Sequence, residues 1–227
     1  MSADDGLMTG ADGIVRCAWC GTDPLYRAYH DDEWGRPTTD DRYLFEKICL
    51  EGFQSGLSWL TILKKRANFR RAFANFDAAT LCTFGPPEVE RLLGDAGIVR
   101  HRGKIESVLN NARRVQELKA EAGSLAAFTG RFLPDPSTRP ERCDWATLRT
   151  IAKTPESTAL SKELRRRGWS FVGPTTVYAF MQAVGMVNDH VEGCYRREEL
   201  ERQRAAFTQP DPAGGPTDRS PAQGLIS

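Results

Sequence analysis

Residues of the types that bind zinc form two pairs, one near each end of the sequence. Cys17 is followed by His30, and His190 stands four positions before Cys194. Two cysteines and two histidines fill the tetrahedral shell of a structural zinc ion and leave no open position for a reacting water. If both pairs bind one ion, the metal ties the two ends of a folded unit together.

A second thiol near Cys17 leaves other assignments open. Cys17 and Cys20 form a Cys-x-x-Cys pair, which could supply both cysteine ligands or act as a redox pair. A redox pair of this spacing usually precedes a helix in a βαβ unit, and the sequence offers no such setting. A thiol redox protein, whose two thiols would cycle between oxidation states, is therefore kept as an alternative hypothesis.

A carboxylate and several aromatic side chains could form a pocket for a flat cation. Glu51 precedes a glycine-rich turn that leads to Trp59. A buried carboxylate beside aromatic rings is unfavourable unless it is paired, and a cationic aromatic base would pair with it and stack on the rings. Core packing is the competing interpretation for the rings. More aromatic residues lie around His30 and could stack on a flipped base; they are Trp19, Tyr26, Tyr29 and Trp34.

A segment rich in glycine and arginine could hold a DNA backbone. It runs from Gly97 to Lys104 and contains Arg100, Arg102 and Gly103. Its glycines permit a left-handed backbone and close approach, and it ends where a helix begins, so free N–H groups could attract phosphate. The composition is typical of a helix-hairpin-helix, which holds DNA without reading its sequence. An ordinary turn between two helices explains the segment equally well.

The composition is that of an ordinary soluble protein without a membrane span. The 227 residues are 40% hydrophobic and 27% charged, with a net charge of +1. Residues 61–115 carry 11 Lys and Arg against 5 Asp and Glu, which could form a basic face for phosphates. No apolar run approaches the roughly 20 residues of a membrane helix, and the first residues lack a signal peptide. We therefore expect a cytoplasmic protein with reduced cysteines.

The apolar residues follow helical spacing, so we predict an all-α fold with few or no strands. Thr154 and Pro155 predict a capped helix start. Residues 1–13 are expected to be a disordered lead, residues 14–200 a single folded unit, and residues 201–227 a disordered tail. The segment 124–145, with three prolines, is predicted to be a loop.

From about Arg16 to Tyr195 the sequence closely resembles the 3-methyladenine DNA glycosylase I family of bacteria. The resemblance rests on many blocks in a fixed order, which is far more specific than any one motif. The blocks are Asp23-Pro24-Leu25-Tyr26, Tyr29-His30-Asp31, Glu33-Trp34-Gly35, Ile48-Cys49-Leu50-Glu51-Gly52, Gly56-Leu57-Ser58-Trp59, Leu63-Lys64-Lys65-Arg66, Asp95-Ala96-Gly97-Ile98, Arg100-His101-Arg102-Gly103-Lys104-Ile105, Phe171-Val172-Gly173 and Asn188-Asp189-His190-Val191.

The resemblance implies a helix-hairpin-helix glycosylase-like bundle with a structural zinc clasp that joins its N- and C-terminal parts. The clasp half would comprise residues of about 14–45 and 155–200, and the hairpin half about 46–154. One Zn²⁺ per chain would be bound by Cys17, His30, His190 and Cys194, with Cys20 outside the set. The implied base pocket consists of Glu51, Tyr29 and Trp59, with Tyr26, Trp34 and Trp19 nearby. The implied DNA contacts are Gly56, Leu57, Gly97, Arg100, Arg102, Gly103 and Lys104.

The resemblance also implies an activity: release of free 3-methyladenine from alkylated double-stranded DNA by a monomeric, monofunctional base-excision repair enzyme without a lyase step. Methylation makes the base a cation and a good leaving group, so aromatic faces and Glu51 could select it. Glu51 is the expected catalytic residue, and no catalytic aspartate can be placed after the hairpin. The alternative is a zinc-tied DNA-binding module without catalysis, in which the aromatic residues are core.

Overall fold

The computed structural model describes residues 5–208 and residue 210, and this part of the chain is mostly helical, as predicted. No helix within it is long and apolar enough to cross a membrane. Short 3₁₀ turns lie at Ala18–Cys20, Ala74–Phe76 and Pro136–Thr138. The α-helices of the described residues are α1 (Pro24–Asp32), α2 (Asp41–Gln54), α3 (Trp59–Ala72), α4 (Ala78–Leu81), α5 (Pro86–Leu93), α6 (Arg102–Ala122), α7 (Leu125–Gly130), α8 (Trp145–Leu148), α9 (Pro155–Arg166), α10 (Pro174–Ala183) and α11 (Arg197–Ala206).

The two ends of the chain differ from the disordered lead and tail that the sequence predicted. Strand β1 (Leu7–Thr9) pairs antiparallel with β2 (Val15–Cys17), so residues 5–13 are structured. Strands of three residues are too short to show an alternating pattern in the sequence. Helix α11 continues to Ala206, beyond the predicted boundary at residue 200. The predicted disorder at residues 1–4, 209 and 211–227 lies outside the described residues.

Helix α2 is the central element of the core. Asp40 caps its start by accepting hydrogen bonds from the N–H groups of Arg42 and Tyr43. Residues 44–53 are all buried, because α3, α6, α7 and α10 pack around the helix. A helix that is surrounded on all sides carries even its charged residues into the interior.

Two other helical predictions have opposite outcomes. Thr154 caps α9 as predicted, because its hydroxyl accepts a hydrogen bond from the N–H of Ser157 at 3.1 Å. The predicted loop at residues 124–145 is wrong in part, since α7 lies within it and is buried along most of its length. A six-residue helix is too short to establish a helical period in the sequence.

The core is one continuous apolar cluster that includes residues from Tyr29 to Val187. A separate small cluster contains Cys17, Val191 and Cys194. There the two ends of the chain meet directly: the N–H of Tyr195 donates to the carbonyl of Val15 at 3.0 Å. The fold therefore brings together the two residue pairs that the sequence singled out for zinc.

Candidate base pocket and metal centre

The six residues predicted to form the base pocket line a single cavity of about 240 Å³. Glu51 comes from the last turn of α2 and Trp59 is the first residue of α3, and the remaining four lie on or beside α1. The six are Trp19, Tyr26, Tyr29, Trp34, Glu51 and Trp59. The cavity has further lining residues that the sequence did not assign to the pocket. They are Gln54 at the end of α2 and, from later segments, Trp145, Leu148, Ala179, Gln182, Asp189 and Val191.

The aromatic side chains form a connected wall. The ring centroids of Tyr29 and Trp59 are 5.4 Å apart, and those of Trp19 and Trp34 are 4.9 Å apart at 71°. Such tilted and edge-to-face pairs hold rings firmly in place. An ion pair of Glu33 with Arg66 connects the end of α1 to α3 beside them. The wall is therefore both a packed part of the core and one side of a cavity.

Glu51 is the carboxylate of this cavity and is only 5% exposed. Burial raises the pKa of its carboxyl group, because the charged form loses hydration, while the nearby Lys47 acts in the opposite direction. Burial also raises the pKa of Tyr29, so the phenol is neutral at physiological pH. A ligand that brings a positive charge and hydrogen-bond donors would compensate the buried carboxylate.

Lys47 is a functional candidate that sequence reasoning missed. It lies one helical turn before Glu51 on α2 and is fully buried. Its Nζ lies 4.2 Å from the ring centroid of Tyr29 and 5.1 Å from that of Trp59. No described residue accepts a hydrogen bond from this ammonium. The i, i+4 spacing of a lysine and a glutamate on either side of the apolar Ile48-Cys49-Leu50 could have indicated the pair.

Asp189 connects the opposite wall of the pocket to the metal-ligand candidates. Its carboxylate accepts hydrogen bonds from the hydroxyl of Tyr178 at 2.5 Å and the amide of Gln182 at 2.7 Å, and it pairs with Arg139. Three partners hold this buried carboxylate in a fixed orientation. Because Asp189 directly precedes His190, the same network fixes the backbone of that histidine.

Three of the four predicted zinc ligands converge in the structure. The ligand atoms of Cys17, His30 and Cys194 all lie within 4.8 Å of one another, and the three residues are buried. His190 is not part of this group, although its ring lies 4.9 Å from that of His30. The Nε2 atom of His190 is buried, and no described residue is its hydrogen-bond partner. An orphaned ring nitrogen beside two thiols and a second imidazole fits the donor set of a zinc site.

The second ring nitrogens and the protonation states also fit a metal. Nδ1 of His30 lies 2.8 Å from Asp31 Oδ1, and Nδ1 of His190 lies 3.1 Å from Asn188 Oδ1. Metal-binding histidines characteristically use one nitrogen in this way, which orients the other toward the ion. Burial lowers the pKa of His190 to about 2, so its imidazole is neutral. The hydrogen bond with Cys17 lowers the pKa of the Cys194 thiol.

Cys20 lies outside the convergent group, as expected from the resemblance. It is buried, and burial raises its pKa to about 11. All six cysteines fall in the described residues and all are free thiols. A buried thiol with a raised pKa is a poor nucleophile, which disfavours the redox hypothesis.

The predicted hairpin lies between α5 and α6, but it differs from the expectation in its glycines. Neither Gly97 nor Gly103 has a left-handed backbone. A Cβ at Gly97 would lie 3.0 Å from Asn68 Nδ2, so close packing is the reason for glycine there. The first turn of α6 is partly capped, because Nδ1 of His101 accepts a hydrogen bond from the N–H of Lys104 at 3.2 Å.

The charged residues of the hairpin divide into exposed and buried ones. Arg100 and Arg102 are exposed, although Arg102 pairs with Glu90 at 2.8 Å. The prediction that Lys104 contacts a phosphate is wrong. Its ammonium is buried and donates hydrogen bonds to the carbonyl of Phe53 at 2.9 Å and to that of Ser55 at 2.6 Å. It therefore binds carbonyls at the C-terminal end of α2, where a helix dipole favours a cation.

The turn between α2 and α3 lies at the edge of the pocket. Gly56 adopts a left-handed backbone with φ of +82°, which glycine accommodates without strain. Leu57 is 40% exposed, and together with Glu51 and Gln54 it lines a shallow depression next to the cavity. An exposed apolar side chain beside a cavity mouth is suited to contact an unstacked base step.

Comparison with known proteins gives a consistent result. Residues 19–197 match the model of the methyladenine glycosylase family. DNA-3-methyladenine glycosylase 1 of Escherichia coli is 49% identical over 182 residues, which are 80% of this chain and 96% of that protein. A crystal structure of 3-methyladenine DNA glycosylase I is similar with a TM-score of 0.73 and 48% identity, covering 79% of this chain and 98% of the other. The Staphylococcus aureus enzyme, solved to explain recognition of 3-methyladenine, has a TM-score of 0.74 and 33% identity, covering 80% and 96%.

Proposed function

The chain belongs to the methyladenine glycosylase family, and we infer that it is a DNA-3-methyladenine glycosylase of base-excision repair. It hydrolyses the N-glycosyl bond of 3-methyladenine in alkylated DNA. The observation that carries this conclusion for the chain itself is the cavity in which the Glu51 carboxylate meets a wall of aromatic rings. An aromatic cation that has been flipped out of the duplex satisfies both parts of this cavity.

We propose that the pocket selects the base by its charge. Methylation at N3 leaves the adenine of the nucleotide positively charged, so ring faces such as those of Tyr29 and Trp59 attract it, and Glu51 accepts hydrogen bonds from it. Unmodified adenine lacks the charge and gains less from both interactions. The lesion also stacks less well in the duplex, which lowers the cost of flipping it.

The hydrolytic step needs limited help from the protein. The positive base is already a good leaving group, and the departing sugar carries positive charge in the transition state. We assign to Glu51 the stabilisation of this charge or of the attacking water, because it is the carboxylate of the cavity that forms no direct ion pair with a described residue. Among the described residues, no lysine lines the cavity, and Lys47 is enclosed by rings behind it. The proposal is therefore a monofunctional glycosylase without a lyase step.

Contacts to double-stranded DNA are assigned to the hairpin and the turn at the pocket mouth. Arg100 and Arg102 are exposed and could bind phosphates. Gly97 and Gly103 are assigned to the same contact surface, and Gly97 lets the hairpin pack closely against Asn68. Leu57, next to the left-handed Gly56, is proposed to fill the space that the flipped nucleotide leaves. The buried Lys104 is left out of this set and supports the turn instead. One chain supplies all these elements, so we propose a monomer.

We propose that Cys17, His30, His190 and Cys194 hold one structural zinc ion. A filled shell of this kind would supply no water for catalysis, and its role would be to stabilise the junction of the chain ends. His30 directly follows the pocket residue Tyr29, and His190 directly follows Asp189 on the opposite wall. The metal centre would thus keep two walls of the pocket at a constant distance.

The direct test is release of free 3-methyladenine from methylated duplex DNA. We expect the purified protein to release the base and to leave an abasic site without strand cleavage. Undamaged duplex serves as the control and should release no adenine. A protein that binds duplex DNA but releases no base would refute the glycosylase function and leave a DNA-binding module as the explanation.

A further inference from the structure

A buried ammonium behind the pocket has no role in the function proposed so far. Lys47 is fully buried on α2, and its Nζ is enclosed by three aromatic rings, which we call the ring cage: Tyr29, Trp59 and Tyr43 at 4.2, 5.1 and 5.3 Å from their centroids. Faces of aromatic rings stabilise a cation at such distances. With no hydrogen-bond acceptor among the described residues, the amine is held by rings and by neighbouring charge alone.

Only one nearby carboxylate is left to balance this charge. Burial lowers the pKa of the Lys47 amine to about 8, and three carboxylates act in the opposite direction: those of Glu33, Glu51 and Glu46. Arg66 pairs with Glu33, and Arg70 pairs with Glu46 at 2.8 Å. Glu51 forms no direct ion pair with a described residue, and Lys47 is the group that opposes the effect of its burial.

The spacing of the two residues makes the pairing specific. Side chains four apart on a helix lie on the same face, about 5–6 Å apart at Cβ. The carboxylate of Glu51 reaches the cavity, and the rings of Tyr29 and Trp59 line the same cavity. The amine of Lys47 lies behind these two rings and does not line the cavity. The two charges are therefore on opposite sides of the aromatic wall, and one does not block the other.

We propose that Lys47 is a positioning residue of the base pocket, a caged ammonium that opposes protonation of the Glu51 carboxylate before the base arrives. A buried carboxylate without a counter-charge would take up a proton and would then lose its charge-assisted attraction to a cationic base. Lys47 supplies the counter-charge without occupying the space of the base. This inference rests on the proposed function for its role, but the coupling of the two charges can be measured without DNA.

The groups around Lys47 on every packed element define what can titrate with it. They are Tyr29 and Glu33 from α1 and its end, Tyr43, Glu46 and Glu51 from α2, and Arg66 and Arg70 from α3. Burial raises the pKa of both tyrosines, so they stay neutral near neutral pH. Glu33 is paired with Arg66, and Glu46 is paired with Arg70. Glu51 and Lys47 are the remaining groups, and neither forms a direct ion pair with a described residue.

The experiment follows the carboxyl carbon of Glu51 by NMR during a pH titration of the free protein. We expect the Lys47→Met variant to titrate at Glu51 at least about one pH unit higher than wild type, since an opposite charge at this range lowers a carboxyl pKa by about 1–3 units. Lys47→Arg, which retains the charge, should titrate closer to wild type. Lys119→Met is the matched control, because it removes a lysine that pairs with Asp41 at the far end of α2. An unchanged Glu51 titration in Lys47→Met overturns the proposal.

A measurement on the wild-type protein decides the case if Lys47→Met does not fold. The side-chain Cε resonance of Lys47 should report a charged amine throughout the pH range in which Glu51 ionises, and a neutral amine there overturns the proposal.

In the release assay, the acid side of the pH profile of kcat/KM should move with the Glu51 titration, giving about a tenfold loss per pH unit. Failure to release 3-methyladenine would refute the glycosylase function, whereas the NMR titrations test the charge coupling independently.

Discussion

Glu51 combines two properties that conflict in most proteins, burial and an ionisable carboxyl group. It lies on α2 and is enclosed by α3, α10 and aromatic rings, yet its carboxylate reaches a cavity. Burial disfavours the charged form, and a cation in the cavity would offset this cost, so the site favours a positive ligand. In the proposed function, specificity therefore depends at this scale on one carboxylate and the rings around it.

Replacing Glu51 by glutamine tests this account at one residue. Glu51→Gln keeps the size of the side chain but loses the charge-assisted hydrogen bonds, each worth about 1.5–3 kcal/mol. We expect the affinity for the cationic base to fall roughly 10- to 100-fold, while duplex binding stays near the wild-type level. Affinity for methylated and undamaged duplex, measured side by side, checks the expectation. An equal loss of affinity for methylated and for undamaged duplex would contradict a role of Glu51 in recognising the cationic base.

The pH dependence of excision provides a second prediction for the same residue. Burial raises the pKa of Glu51 above its ordinary value, and the carboxylate form binds a cationic base by stronger, charge-assisted hydrogen bonds than the protonated form does. Alkylation gives the base in DNA a positive charge that does not change with pH. We therefore expect kcat/KM to fall as the pH decreases through the raised pKa of Glu51, which lies well above the usual 4.5 of glutamic acid. Rates measured at a series of pH values should show this limb in wild type and not in Glu51→Gln.

Among the elements, α2 and the turn after it organise the site. The buried helix presents Lys47 and Glu51 on one face, and its C-terminal carbonyls are bound by Lys104. The turn that follows contains the left-handed Gly56 and the exposed Leu57. The buried helix α2, whose C-terminal end is bound by Lys104, thus positions both the Glu51 carboxylate and the exposed Leu57 at the mouth of the pocket.

Truncation of Leu57 separates base binding from base flipping. Leu57→Ala removes apolar surface that we assign to the gap in the duplex, a loss of about 1–2 kcal/mol. Excision from methylated duplex should slow roughly tenfold, whereas binding of free 3-methyladenine should not change. Leu133→Ala, another exposed leucine distant in sequence, is the control. Weaker binding of the free base would mean that Leu57 belongs to the pocket itself.

At the scale of the whole molecule, the junction of the chain ends supports the pocket. The strand that carries Cys17 bonds to the segment that carries Val191 and Cys194, and both segments adjoin pocket walls. Loss of a metal at this junction would therefore reduce stability throughout the unit and leave the chemical groups of the pocket in place.

Removal of one candidate ligand tests the proposed metal centre. Cys194→Ser should abolish stoichiometric zinc in the purified protein and lower Tm by an amount on the order of 10 °C, because loss of a structural metal is among the most destabilising changes. Cys20→Ser is the matched control, as it alters a buried neighbouring thiol outside the ligand group and should retain one zinc. A folded Cys194→Ser protein that retains full zinc content would contradict the ligand set. A Cys194→Ser protein that has normal stability but no catalytic activity would contradict a purely structural role for the metal.

The sequence by itself determined the features that depend on local pattern and residue type. Helical periodicity predicted a mostly helical chain, the Thr154-Pro155 pair predicted the start of α9, and the ordered blocks around Glu51 and His190 indicated the family. These inferences succeed because capping and amphipathic spacing act within a few residues. The resemblance likewise brought together six aromatic and acidic residues that line one cavity.

Only the tertiary structure decided what each polar group faces. Lys104, taken from its neighbours as a phosphate ligand, turns inward to carbonyls 49 and 51 residues away, and Lys47 is caged by rings from two other helices. The β1–β2 pair and the Asp189 network likewise join segments through contacts that no short stretch of sequence encodes. Burial and charge compensation are properties of the assembled core, because the field at a side chain is set by neighbours that the chain brings near only when it folds.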